Sequence, residues 1–263
     1  TRTLGKGALF VALRGERFDA HDFCDQALAA GASALLVERE LPLAIPQLVV
    51  ADTLKGLGRL GKLVRERINP KVLAITGSCG KTTVKEMATA ILRQEGEVLA
   101  TAGNFNNEVG VPLTLLRLEA QHQFAVMELG ANHPGEIAWT TSLARPDAAL
   151  INNVAAAHLE GFGSLEGVFH AKSEIFEGLD EGGTAIVNAD NEFWPKWQAK
   201  GIRCAFSLED QSQPFHARDI ALNGQGCAEF VMVTPQGELT LTLAIPGRHN
   251  VANALAAAAG TLA

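Results

Sequence analysis

Tyrosine is absent from these 263 residues, and aromatic residues together make up only 6%. Charged residues reach 19%, and acidic ones outnumber basic ones by 29 to 22, for a formal net charge of −7. A nucleic-acid binder needs a basic face and rings on which bases stack, and this composition argues against that class. Cysteine occurs four times, at Cys24, Cys79, Cys204 and Cys227, with no Cys-x-x-Cys pair. That spacing argues against a zinc site or a disulfide framework and fits a reducing compartment. No apolar run approaches the roughly 18 residues that span a bilayer, and no secretory signal pattern opens the chain. A cytoplasmic protein without membrane insertion is expected.

Hydrophobic residues make up 47% of the chain, enough for two domains with real cores. The chain opens on Thr1 rather than Met and closes inside an apolar helical pattern, Ala252 to Ala263. Part of a longer protein is therefore expected.

Residues 1–69 read as one unit. Leu9 to Leu13, Ala34 to Val37 and Gln47 to Val50 are predicted strands. His21 to Ala30 is a predicted helix stopped by Gly31, Thr53 to Arg67 is a second, and Asn69-Pro70 reads as a linker. From residue 70 the pattern is β-α-β. Lys71 to Thr76, Phe124 to Leu129, Ala148 to Asn152 and Thr184 to Asn188 are predicted strands with helices between them. Val84, Met87, Ala88, Ile91 and Leu92 mark one helix face. Strands alternating with helices predict an α/β fold on a mainly parallel sheet, with ligands beyond the carboxyl ends of its strands. Near the end, Ala228 to Val233 and Glu238 to Ile245 flank the turn Thr234-Pro235-Gln236-Gly237. Leu239, Leu241 and Leu243 alternate with threonines there, which predicts an antiparallel hairpin with one buried face.

The strongest chemical signal is Thr76-Gly77-Ser78-Cys79-Gly80-Lys81-Thr82-Thr83, between a strand and a helix. Phosphate oxygens need several backbone N–H donors converging on one point, and a glycine-containing loop at a helix N-terminus supplies them. Lys81 would neutralise the β- and γ-phosphates, and the Thr82 hydroxyl would hold Mg²⁺. The general pattern GxxxxGK[ST] asks for glycine where Ile75 stands, so the narrower TGSxGKT form is the one that fits. Glu128 ends a strand beside this loop, where a phosphate-loop enzyme places a Mg²⁺ ligand. His158 stands in a loop, and a lone loop histidine is usually structural. Lys172 falls with Val168, Ala171 and Ile175 on the apolar stripe of a helix that Ser164 would cap. There its charged form is disfavoured, and the neutral amine could take up CO₂ as a carbamate. The plainer reading is that its stem lies on the core and its ammonium reaches water. Asn250 and Asn253, in PGRHNVAN, share a helix face that could meet a nucleobase edge.

Together these stretches resemble the Mur ligases along essentially the whole chain. LFVALRGERFDAHDF resembles the uridine-diphosphate-binding domain of that family, TGSCGKTTVKEM its ATP loop, and GNFNNEVGVPLTLL the cleft loop that follows. ELGANHPGEI, AAHLEGFGS, HAKSEIF and GRHNVANALAAA continue the match. ELGANHPGEI resembles the branch that adds D-alanyl-D-alanine, whereas the diaminopimelate- and lysine-adding branches carry a form like EVSSH there. The resemblance implies a UDP-sugar-binding domain over 1–69, holding substrate through Thr1 and Arg2, and an ATP-binding central domain over 70–263. It implies that a C-terminal domain of the family lies outside the chain. It implies ATP, two Mg²⁺ ions held by Thr82, Glu128, His158 and a carbamylated Lys172, and a place near the nucleotide for Asn250. Asn104 and Asn107 would face the substrate or metal cleft. The implied reaction joins D-alanyl-D-alanine to UDP-N-acetylmuramoyl-tripeptide through an acyl phosphate, in a monomer. The competing readings are another Mur-type ligase, folylpolyglutamate synthase, a phosphate-loop regulatory NTPase and a non-catalytic nucleotide-binding module.

Overall fold

A computed structural model describes residues 4–15, 18–156, 159–179 and 181–263, with the backbone alone for Leu159. Thr1, Arg2 and His158, expected to touch substrate or metal, lie outside the described residues. Two sheets organise the chain. In the first, β1 (Leu9–Val11), β2 (Ala34–Val37) and β3 (Gln47–Val49) run parallel in the order β1-β2-β3. The helix expected over 21–30 divides into a 3₁₀ turn at Ala20–Phe23 and α1 (Cys24–Ala29). Asp19 opens it by accepting the His21 amide at 2.9 Å.

Next comes α2 (Thr53–Ile68), capped by Asp52, whose carboxylate accepts the Lys55 amide at 2.9 Å. It ends on Asn69, which takes the left-handed conformation at φ 53°, a role suited to asparagine. Three glycines interrupt this helix at a cost of roughly 1 kcal/mol each relative to alanine. Their spacing has a steric reason. A Cβ on Gly56 would stand 3.1 Å from Leu36 of the small sheet. One on Gly58 would meet the Trp139 ring at 2.6 Å, and one on Gly61 the Pro112 backbone at 3.0 Å. So α2 is notched on two sides and lies against both parts of the molecule. Arg65, 3% exposed, fastens it by donating to the carbonyls of Ala144 at 2.7 Å and Arg145 at 2.8 Å. Gly61→Val is expected to cost about 1–3 kcal/mol by overpacking against backbone that cannot retreat. A urea midpoint unchanged from wild type would contradict this.

The second sheet holds β4 (Lys71–Thr76), β5 (Glu97–Ala100), β6 (His122–Glu128), β7 (Ala148–Ile151), β8 (Thr184–Asn188), β9 (Cys204–Ser207), β10 (Phe215–Leu222), β11 (Cys227–Thr234) and β12 (Gly237–Pro246). Their order is β12-β11-β10-β9-β8-β7-β4-β6-β5. Neighbours from β5 to β10 are parallel, while β10-β11-β12 is an antiparallel meander. Strand β4 shows why the parallel strands read as unbroken apolar runs. Val72 and Ala74 enter a core shared with α4 (Gly110–Leu115), α5 (Glu136–Ala144) and α7 (Leu165–Ser173). Leu73 and Ile75 enter the opposite core, under α3 (Lys81–Leu92) and α9 (His249–Thr261). Two short helices, α6 (Leu159–Phe162) and α8 (Trp194–Ala199), complete the fold. Among the described residues no helix is long and apolar enough to cross a membrane.

One expectation fails in part. The leucine face of the closing hairpin is not fully buried: Leu239 is 60% exposed, and Leu241 and Leu243 are half-buried. The reason is geometric. β12 is the edge strand, and its leucines overhang a groove of about 610 Å³ beside Met87 and Ile91 of α3 and Ala257 of α9.

Candidate active site

Three adjacent strands, β7, β4 and β6, end side by side and deliver Asn152, Thr76 and Glu128 to one edge. Thr76 is buried, and its hydroxyl donates to the Leu129 carbonyl at 2.8 Å, tying the loop start to the end of β6. From Gly77 the chain turns into α3. Gly77 and Gly80 adopt φ 154° and 77°, and at Gly80 a Cβ would strike the amides of Asn152 and Asn253 at 2.6 Å. No side chain caps α3 among the described residues, so its first-turn amides face the loop. Lys81 folds back over the loop, its ammonium donating to the Gly77 carbonyl at 2.8 Å.

Asparagines hold this loop from below. Asn153 accepts the Cys79 amide at 2.9 Å and donates to the Cys79 carbonyl at 2.9 Å. Asn152 donates to the same carbonyl at 3.1 Å and to Asn253 Oδ1 at 2.9 Å. Asn253 donates to Asn250 Oδ1 at 2.9 Å, and Asn250 to the Pro246 carbonyl at 2.7 Å. Ser78 exchanges bonds with Ala155 across the same junction, at 2.9 Å each way.

At the mouth of the loop the Thr82 hydroxyl donates to Glu128 Oε2 at 3.0 Å. Asn106 donates to the other carboxylate oxygen at 2.8 Å. Glu128 is 3% exposed, so its carboxylate is held on both sides and aimed at the loop. The separation fits a hard divalent ion. Octahedral Mg²⁺ binds oxygen at about 2.0–2.1 Å, which places neighbouring ligands about 2.9 Å apart. Among the described residues no three His, Cys, Asp or Glu side chains gather as a metal site. A hydroxyl and one carboxylate are what a protein contributes when phosphates and water complete the shell.

The residues of this chain match the model of the Mur ligase middle domain over 75–261 and that of the Mur ligase family, catalytic domain, over 1–72. The chain belongs to the Mur ligase family. The UDP-N-acetylmuramoyl-tripeptide--D-alanyl-D-alanine ligase of Escherichia coli (strain K12) is 58% identical over 98% of this chain. The chain spans 58% of the length of that relative. The crystal structure of MurF from Acinetobacter baumannii superposes with a TM-score of 0.94 and 45% identity, covering 99% of this chain and 58% of that one. MurF ligase from Thermotoga maritima in complex with ADP superposes with a TM-score of 0.84 and 30% identity, covering 97% of this chain and 60% of that one.

Within this Mur ligase fold, Lys172 sits where the helical stripe put it. Val168 and Ile175 are fully buried, Ala171 is 1% exposed and Lys172 itself 2%. Ser164 caps α7, its hydroxyl accepting the Gly167 amide at 3.0 Å. The ammonium stands 5.7 Å from the centre of the Phe162 ring. Burial lowers the Lys172 pKa to about 8, the Lys81 charge adds to that, and Glu136 and Glu174 oppose it. Glu174 is itself occupied, accepting the amides of Gly135 at 2.7 Å and Ala138 at 3.0 Å at the start of α5.

Asn250 is 6% exposed, and its amide donates once and accepts once within the protein. It joins the support of the phosphate loop, because the one-turn spacing to Asn253 lets the two amides pair with each other. Asn107 uses its side-chain oxygen to accept the Gly110 amide at 2.8 Å, opening α4. Asn104 is exposed, and its carbonyl accepts the Asn106 amide at 2.8 Å. Their neighbour Asn106 reaches Glu128 and does not stand out in the sequence. Three asparagines within four positions were the available signal, and nothing local says which one turns inward.

Proposed function

We propose that this chain carries the nucleotide site and the UDP-sugar-binding part of an enzyme joining D-alanyl-D-alanine to UDP-N-acetylmuramoyl-tripeptide with ATP. The observation that carries the reading is the Thr82–Glu128 pair, 3.0 Å apart at the mouth of a glycine-turned loop closed by Lys81. The names of the relatives supply the two substrates. The expected domains over 1–69 and 70–263 are part of this proposal, with Thr1 and Arg2 holding the UDP moiety of the substrate.

The phosphate loop, Thr76 to Thr83, binds the ATP phosphates through its amides, and Lys81 offsets their charge. Asn250 stands behind the nucleotide site, and Asn104 and Asn107 border the cleft. The terminal carboxylate of the tripeptide attacks the γ-phosphorus. An O–P bond forms, the bond to ADP breaks, and an acyl phosphate results. The amine of D-alanyl-D-alanine then attacks the acyl carbon, phosphate leaves with the electron pair, and the amine gives up a proton. Thr82 and Glu128 would hold one Mg²⁺, and His158 and Lys172 would hold a second; the ions would supply positive charge between the reacting anions. Lys172 would carry CO₂: its neutral amine forms the N–C bond, a proton leaves to water, and the product is an oxygen ligand. A monomer in the cytoplasm fits this reading.

The test is a ligation assay on the protein carried to the length of its relatives. With ATP, Mg²⁺, UDP-N-acetylmuramoyl-tripeptide and D-alanyl-D-alanine, one ADP and one phosphate are expected per pentapeptide formed. ATP hydrolysis indifferent to both substrates would refute the proposal and favour a regulatory NTPase.

A further inference from the structure

The Mg²⁺–nucleotide reading above, on which this inference rests, depends on a distance between a helix and a strand. Thr82 lies on α3 and Glu128 at the end of β6, so the seat of α3 on the sheet edge sets their separation. Lys85 lies one turn beyond Thr82 and is 3% exposed. Its ammonium donates to the Thr101 carbonyl at 2.8 Å and pairs with the exposed Glu86 carboxylate at 2.8 Å. A buried ammonium is costly unless paired and hydrogen-bonded, and a methionine would fill the same space without that cost. Packing alone therefore does not account for a lysine here.

Its partner, Thr101, stands just past β5 and is 1% exposed. The Thr101 amide continues the ladder by donating to the Val126 carbonyl at 3.0 Å. The Thr101 hydroxyl accepts the backbone amide of Glu128 at 2.9 Å. The contacts close into a ring. Lys85 holds the Thr101 carbonyl, Thr101 holds the Glu128 amide, the Glu128 carboxylate holds the Thr82 hydroxyl, and one helical turn returns to Lys85.

We infer that Lys85 is a positioning residue for the metal-binding pair: acting through Thr101, it fixes the spacing of Thr82 and Glu128 and so the Mg²⁺ affinity of the nucleotide site. The contacts of the Lys85 ammonium are with protein groups, the Thr101 carbonyl and the Glu86 carboxylate. Its effect is on geometry, and contacts of this outer kind change metal affinity by roughly 10–100-fold.

The test uses the protein at the length of its relatives, as wild type, Lys85→Met, Lys85→Arg and Thr101→Val. ATP affinity is measured for each in EDTA and again across a Mg²⁺ titration. Lys85→Met is expected to leave metal-free ATP affinity within about twofold and to raise the half-saturating Mg²⁺ concentration about tenfold. Thr101→Val shifts it in the same direction, and the double variant does no worse than either single one, because the ring opens once. Lys85→Arg keeps a donor and recovers part of the affinity. An unchanged Mg²⁺ requirement in both Lys85→Met and Thr101→Val would overturn the inference. So would equal losses with and without metal, which mark general loosening, or failure of both variants to fold. Wild type that does not bind Mg–ATP refutes the nucleotide reading itself, a result visible before any variant is compared.

Discussion

Lys81→Ala is expected to lower ATP-dependent turnover by about 10²-fold or more while leaving the fold intact. The size follows from where the charge sits. In a phosphoryl transfer between two anions, a fixed cation over the migrating group acts mainly in the transition state, and losing one such contact costs at least about that factor. The fold survives because the Lys81 ammonium bonds to the Gly77 carbonyl of its own loop and not to the core. The measurement is phosphate release by the protein at the length of its relatives, with circular dichroism and a thermal melt as controls. Near-normal turnover in a well-folded variant would refute the assignment of the loop to ATP.

Lys172→Ala is expected to lose most activity, and a small added carboxylic acid to restore part of it by filling the vacated space. Lys172→Arg stays inactive, because a guanidinium does not form the carbamate. The pH dependence has a definite sign. CO₂ reacts with the neutral amine, and burial lowers the Lys172 pKa to about 8 from the ordinary 10.5. At limiting bicarbonate, activity should therefore climb as pH rises toward 8, well below the range where an exposed lysine would respond. The same shift affects stability. The unfolded chain holds this proton up to about pH 10.5 and the folded one only to about 8. Stability from this group is thus full above the unfolded value and is lost as pH falls through about 8. Full activity in Lys172→Arg, or no response of Lys172→Ala to any short carboxylate, would defeat the carbamate.

The fold was legible wherever local pattern and burial agree. β4 and β8 match their predicted bounds, and α3 follows the loop that announced it. β10 went unread because its alternation is broken. Asp219 takes φ 58°, and the pairing with β11 shifts register between Arg218 and Ala221. β5 and β9 went unread because each includes a polar residue, Glu97 or Ser207, whereas β2 and β7, equally short, are apolar throughout. At the site, Lys81, Thr82, Glu128 and Lys172 could be named because each stands at a strand end, a helix start or a helical stripe. Asn106, Asn152 and Lys85 could not. Their partners are 22, 73 and 16 residues away in the chain, and only the closed sheet brings them together.

The notched helix α2 has a consequence for how this protein can be cut. The sequence turn at Asn69-Pro70 invites a division there, yet α2 lies against Pro112, Trp139 and Leu143 on one side and Leu36 on the other. A fragment starting at Lys71 would present the indole of Trp139 and the side chain of Leu143 to water, a sticky apolar face of the kind that drives aggregation. It would also leave the carbonyls of Ala144 and Arg145 without the Arg65 guanidinium. A fragment starting at Asp52 keeps the helix, its Asp52 cap and that seal. For crystallising the larger sheet alone, a start at Asp52 is therefore expected to serve better than one at Lys71.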